Sequence, residues 1–232
     1  MIIKIPKGFF GGMRFKVKEK SNPAVQSHDP SAPSQGAPAP EPMDLEKELS
    51  RKPAAALISS LDDADPFVRS VSSEVLGRMK ERDAVKPLIQ LLRDPSKFVR
   101  EKAAISLGYI GDKAAVPALI EALNDEAEEV RVTVAGVLGH LRDREAVPAL
   151  IRALSDSSPV ARMKSAISLG VIGDPDAVTA LYQAAKDDNE LVRKYACEAL
   201  GNIGKPAVSA LLLCLKDERV RSHAAQSLVK IK

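Results

Sequence analysis

Apolar residues recur along most of this chain at helical rather than alternating spacing. Val116, Leu119, Ile120 and Leu123 share one face of a short helix, and Val99, Ala103, Ala104, Leu107 and Ile110 share one face of a second. Polar turn residues interrupt the pattern between such blocks. Asp94-Pro95 ends one block, while Gly111-Asp112 and Gly173-Asp174 end others in the way a helix terminus passes into a turn. The pattern predicts pairs of short helices.

The pairs repeat in strict register. Leu-Gly begins at residues 76, 107, 138, 169 and 200, each 31 residues after the last. An arginine stands seven residues earlier every time (Arg69, Arg100, Arg131, Arg162, Arg193), and a sixth, Arg221, precedes Leu228 by seven. Upstream run AVKPL from 84, AVPAL from 115 and 146, AVTAL from 177 and AVSAL from 207. An aspartate recurs between the blocks at Asp63, Asp94, Asp125, Asp156, Asp187 and Asp217. One helix pair cannot bury its own apolar face, so neighbours must stack into an all-α solenoid.

The unit AVPALIxALxD…VRxxAAxxLGxIGD resembles the 31-residue HEAT-like repeat, the type named after phycobilisome lyases. The resemblance covers roughly residues 53–232 in six copies. It implies a right-handed α-solenoid of about six two-helix repeats, with the second helices lining a concave face. It also implies that the aspartates and arginines hydrogen-bond along the stack, making Arg69, Arg100, Arg131, Arg162, Arg193 and Arg221 a structural ladder. The end copies depart from the pattern and read as caps. The first lacks the AVPAL start (Pro53, Ala54, Ala55, Ala56), and the last is three residues shorter.

Ahead of the array, residues 21–42 hold six prolines among serine, alanine and glutamine, which reads as a flexible linker. A chain of that length spans on the order of 25 Å on average. Residues 43–52 begin the solenoid segment (43–232) with a short helix capped by Asp44. Residues 1–20 form a basic amphipathic segment. Met13, Phe15 and Val17 alternate with Arg14, Lys16 and Lys18, and Phe9 and Phe10 lie between Gly8 and Gly11-Gly12. That alternation is β-like, and an isolated hairpin is marginal in water, so the tail is ordered by docking on a partner's sheet edge or groove, is merely disordered, or makes a weak membrane contact. Phe9, Phe10, Met13, Phe15 and Val17 are its candidate docking residues.

Composition sharpens this picture. Aromatics make up 3% of the chain and tryptophan is absent, so the core must be built from closely packed alanine, leucine, isoleucine and valine. The net charge of +3 is uneven: residues 1–20 carry six basic side chains against Glu19, whereas residues 53–232 balance at zero. A neutral body lacks the field that drives binding to nucleic acid or anionic membranes. No apolar run approaches the length of a membrane span, and no secretory leader is evident. The two cysteines suit a reducing cytosol, so a cytoplasmic protein is expected.

Candidates for chemistry are few. Some HEAT-like proteins are hydroxylases whose His-Glu pairs hold iron, but none of His28, His140 and His223 is followed by glutamate, so no metal and no cofactor are expected. Cys197 and Cys214 fall at positions where other units have alanine, which predicts buried, inert thiols. More informative are the second-helix positions that vary between units. On the resemblance's geometry, Phe98, Lys102, Ile105, Tyr109, Val132, His140, Met163, Ile167, Val171, Lys194 and Tyr195 lie along the concave face, several of them apolar where solvent would favour polar groups.

The expected function is thus a non-catalytic scaffold, adaptor or assembly factor that holds a protein partner, including one in a multisubunit complex, on the concave face while the tail docks. Two alternatives stand beside it. One is a bilin lyase-like subunit acting on phycobiliproteins; the other, nucleic-acid binding, is disfavoured by the neutral body.

Overall fold

The structure, a computed structural model, describes residues 42–231. The predicted tail at 1–20 and nearly all of the linker lie outside the described residues. Among those described, thirteen α-helices and no strand occur. A leading helix α1 (Pro42–Leu49) precedes six pairs. The first helices are α2 (Ala54–Ser59), α4 (Val85–Leu91), α6 (Val116–Ala122), α8 (Val147–Ala153), α10 (Val178–Ala184) and α12 (Val208–Cys214). Each precedes a second helix: α3 (Pro66–Met79), α5 (Lys97–Ile110), α7 (Glu128–Leu141), α9 (Pro159–Ile172), α11 (Glu190–Ile203) and α13 (Arg221–Lys230).

Local chemistry sets these boundaries. Asp112, Asp143 and Asp174 each accept the backbone N–H two residues on, starting a single 3₁₀ turn that leads into the next first helix. Four of the six second helices end in the left-handed region, at Gly111 (φ 77°) and Gly173 (φ 76°), and at Lys80 and Arg142 where the unit lacks glycine.

Two leucine columns form the core. Leu76, Leu107, Leu138, Leu169 and Leu200 from the Leu-Gly pairs, and Leu88, Leu119, Leu150, Leu181 and Leu211 from the first helices, are all essentially inaccessible. Consecutive second helices pack closely along the stack, whereas consecutive first helices barely touch. The second helices therefore form the tightly packed side of the stack, which the repeat resemblance makes the inner one.

Glycine makes that close packing possible. A Cβ at Gly77 would stand 2.6 Å from Ser106 Cα, at Gly139 2.8 Å from Ser168 Cα, and at Gly170 2.7 Å from Ala199 Cα. Ser168 Oγ also donates 2.7 Å across this contact to the Ala135 carbonyl.

The arginines tie the turns together. Arg69 Nε and Nη2 donate to the two carboxylate oxygens of Asp94 in the next unit (2.8 and 3.0 Å), and its Nη1 donates to the Asp63 carbonyl of its own turn at 2.7 Å. Asp94 Oδ1 in turn accepts the Ser96 N–H at 2.8 Å. The same bidentate pairing joins Arg100 to Asp125, Arg131 to Asp156, and Arg162 to Asp187. The last two arginines behave differently. Arg193 reaches only the carbonyls of Asp187 and Asp188, and its buried Nε has no partner, because Arg219 takes both oxygens of Asp217. Arg221 donates to the Leu215 carbonyl of its own turn at 3.0 Å. The shortened sixth unit thus breaks the ladder at its final step.

Arg131 holds the Asp156 carboxyl below the usual range against the opposing effect of burial, and Arg162 does the same for Asp187. Burial pushes Asp125 upward, but the Arg100 guanidinium and the Ala127 N–H outweigh it and leave it lowered.

Two predictions follow from this packing. Gly170→Ala should cost about 1–3 kcal/mol despite alanine's better helix propensity, because backbone lies opposite. Gly108→Ala, which would meet only Val137 methyls at 3.2 Å, should be nearly neutral. Equal urea midpoints for the two variants would contradict the close approach. The lowered aspartates stabilise the fold at pH values above their unfolded pKa of about 3.9, and this contribution disappears as pH falls through the lower folded values. Urea stability should accordingly drop on acidification below about pH 4. Asp156→Asn should lose about 2–3 kcal/mol at neutral pH and show a shallower acid decline. Parallel pH curves for the two proteins would count against the ladder.

Candidate functional site

The side chains that vary from unit to unit lie on one face of each second helix, at first-turn, i+4, i+7 and i+11 positions. Stacking extends each position into a row along the inner surface. The row nearest the ladder is Phe67, Phe98, Glu129, Val160 and Leu191. The next is Val71, Lys102, Thr133, Lys164 and Tyr195, then Glu74, Ile105, Gly136, Ile167 and Glu198, and last Arg78, Tyr109, His140, Val171 and Asn202.

Ile105, Tyr109, Ile167, Val171 and Tyr195 are half-buried, neither sealed between helices nor fully solvated. Gly136 opens a gap between Ile105 and Ile167. The stem of Lys164 lies over it, since a Cβ there would stand 3.4 Å from Lys164 Cδ, and burial lowers the lysine's pKa. Lys102 pairs with Glu74 on the preceding helix, and Lys194 lies over the Tyr195 ring at 5.3 Å. Thr133 Oγ1 donates to Glu101 at 3.3 Å, and burial raises that carboxyl. His140 is half-buried. Burial, with Arg142 and Lys80 nearby, lowers its pKa.

Two of the apolar residues read from sequence are less available. Val132 is 4% exposed, and Met163, at the same repeat position, packs against the core. Their position, shared with Lys194, falls one residue before the Thr133–Lys164–Tyr195 row and in none of the four rows. Phe98, by contrast, is 66% exposed. Phe67, Val160 and Leu191, exposed by 41%, 42% and 51%, continue its row; they belong to the variable second-helix positions of the sequence but not to the candidate concave-face residues. The signal was present as large apolar residues at 67, 98, 160 and 191, all in one register of the 31-residue repeat.

Cys197 on α11 and Cys214 on α12 are both buried, and their mutual hydrogen bond, together with burial, pushes the Cys197 thiol up. Among the described residues no group of three or more His, Cys, Asp or Glu could hold a metal ion, and no helix is long and apolar enough to cross a membrane. The inner surface thus combines half-buried apolar side chains with ion pairs such as Lys102–Glu74. The predicted docking residues Phe9, Phe10, Met13, Phe15 and Val17 lie outside the described residues.

Several solved structures share this architecture. A designed armadillo repeat protein in complex with the peptide (KR)4 superposes with a TM-score of 0.60 at 18% identity, covering 78% of this chain and 100% of that one. The complex of CpcE and CpcF of phycocyanin lyase from Nostoc sp. PCC7120 gives 0.50 at 22% identity, covering 90% and 100%. An engineered protein, a Northeast Structural Genomics Consortium target, gives 0.55 at 21% identity, covering 81% and 96%. These likenesses establish the fold. No curated protein matches the chain. The sequence profile of the HEAT repeats matches residues 54–131, 116–191 and 180–232, which takes in all six helix pairs, and the chain belongs to the HEAT-repeat family.

Proposed function

We propose that this protein is a non-catalytic scaffold or adaptor that holds a partner protein against the inner face of its second helices. The observation that carries the reading is the run of half-buried apolar side chains on that face, above all Ile105, Tyr109, Ile167 and Tyr195. Aromatic and aliphatic anchors at the centre of a surface, with charged pairs such as Lys102–Glu74 beside them, match the anatomy of protein interfaces. A rigid repeat stack also limits the ordering cost of binding. Two neighbours in fold are themselves found in complexes, one with a peptide and one between two lyase subunits. The cytoplasm, with its reducing conditions, is the compartment that two buried free thiols suit.

A bilin lyase-like subunit is the alternative, supported by the fold likeness to the CpcE–CpcF complex. An attachment assay with apo-phycocyanin and free bilin separates the two readings, and bilin transfer would displace the scaffold.

Affinity capture from native lysate tests the scaffold directly. Ile105→Glu with Tyr109→Glu should cut recovery of the dominant partner about 30-fold or more, the effect of losing a hot spot, while thermal stability stays near that of the parent. If this double variant and Ile167→Glu both capture the partner as well as the parent does, the inner face is not the binding surface.

A further inference from the structure

The row nearest the ladder is not explained by folding. Eight large hydrophobic side chains are strongly exposed among the described residues, and four of them, Phe67, Phe98, Val160 and Leu191, occupy a single repeat position. All sit in the first turn of a second helix, where solvent would favour polar groups. With neighbouring helices about 10 Å apart, they line one edge of the inner face over about 40 Å.

That edge is also acidic. Asp62, Asp63 and Asp65 stand exposed in the turn at one end of the row and Asp188 and Glu190 at the other, while Glu129 in the middle is paired with Lys97 and Glu126 beside it with Arg100. The bases nearby are partly committed: Lys97 pairs with Glu129 at 2.8 Å and Arg93 with Glu121 at 2.7 Å. An occupant of this edge must therefore present apolar side chains interleaved with positive charge.

We infer that residues 1–20 of this same chain dock on the edge row. They carry Phe9, Phe10, Met13, Phe15 and Val17 among six basic side chains and a single acid. Their attachment favours the same site. α1 packs on α3, the helix that bears Phe67, so the chain enters the repeats at the same end of the stack as the first member of the row. The 21 residues from 21 to 41 can reach at most about 70 Å, more than the length of the row. A tether of that order holds its cargo at an effective concentration of about a millimolar, so a contact too weak to form between separate molecules still closes within one. Charge complementarity and tether geometry thus select the same occupant. The inference is independent of the inner-face reading above, because it uses a different row of side chains, and either can fail alone.

The test uses the full chain. Cys197 and Cys214 are buried, so Ser21→Cys supplies the one thiol open to a nitroxide label at the end of the segment. Paramagnetic broadening in the isotope-labelled protein should extend from the α1 region across the amides of residues 62–67, 93–98 and 126–129. It should fall several-fold in Phe67→Ser/Phe98→Ser and in Phe9→Ser/Phe10→Ser/Phe15→Ser, and decrease at high salt. All these positions are exposed or outside the packed repeats, and the unaffected amides report that the fold is intact. Broadening confined to the neighbourhood of α1, or unchanged in both variants, overturns the proposal. So does broadening at the row that appears only between mixed labelled and isotope-labelled molecules, which would make a second copy the occupant.

Discussion

Everything in this fold depends on how closely one second helix approaches the next. At Gly77, Gly139 and Gly170 the neighbouring backbone or Cβ occupies the space where a side chain would begin. Helices this close share a nearly continuous wall, and the first helices, which lack such contacts, splay apart on the outside. The curvature follows from that asymmetry. So does the exposure of the variable positions: with the flanks of each second helix committed to its neighbours, and a third side buried on its own first helix, only one face remains for contact with anything else.

The Arg–Asp ladder acts on the same geometry from the turns. Each bidentate pair fixes the turn of one unit to the second helix of the previous one, and the same guanidinium bonds the carbonyls of its own turn. Removing one partner would leave a largely buried charge alone, which is why the pairs contribute to register more than a surface ion pair would. The final step shows what the pairing requires. Once Arg219 stands two residues after Asp217 and takes both its oxygens, Arg193 has no carboxylate to reach and its Nε is left buried without a partner.

Much of this was legible in the sequence because repetition reports packing directly. A residue identical in every unit, such as Leu107 or Arg100, answers a demand that every unit shares. Residues that differ between units carry no such report, and there the reading was coarser. Val132 and Ile105 both look like apolar outliers on a variable helix, yet Val132 is buried and Ile105 only half-buried. Nothing in spacing alone shows that Cys197 and Cys214, on different helices, come into contact. The broken ladder step was equally hidden, since Asp217 and Arg193 keep their places in the pattern and only the nearby Arg219 changes the outcome.

The edge row gains its rigidity from the same caps that start the helices. Asp65 accepts the Phe67 N–H at 2.8 Å, Ser158 the Val160 N–H at 3.1 Å, and Asn189 the Leu191 N–H at 2.9 Å. One residue pair further along, Arg69 and Arg162 lock the turn that precedes each of the first two. These three helix starts, which would ordinarily fray, are therefore tied down, whereas Ser96 makes no side-chain cap at the start that carries Phe98. Rigid anchors lose little freedom when a partner arrives, so even modest contacts along this edge translate into net affinity. The side chains that do least for folding are thus presented by the groups that do most to define the helix starts. That division between a fixed frame and variable exposed anchors lets a repeat stack change what it binds without changing how it folds.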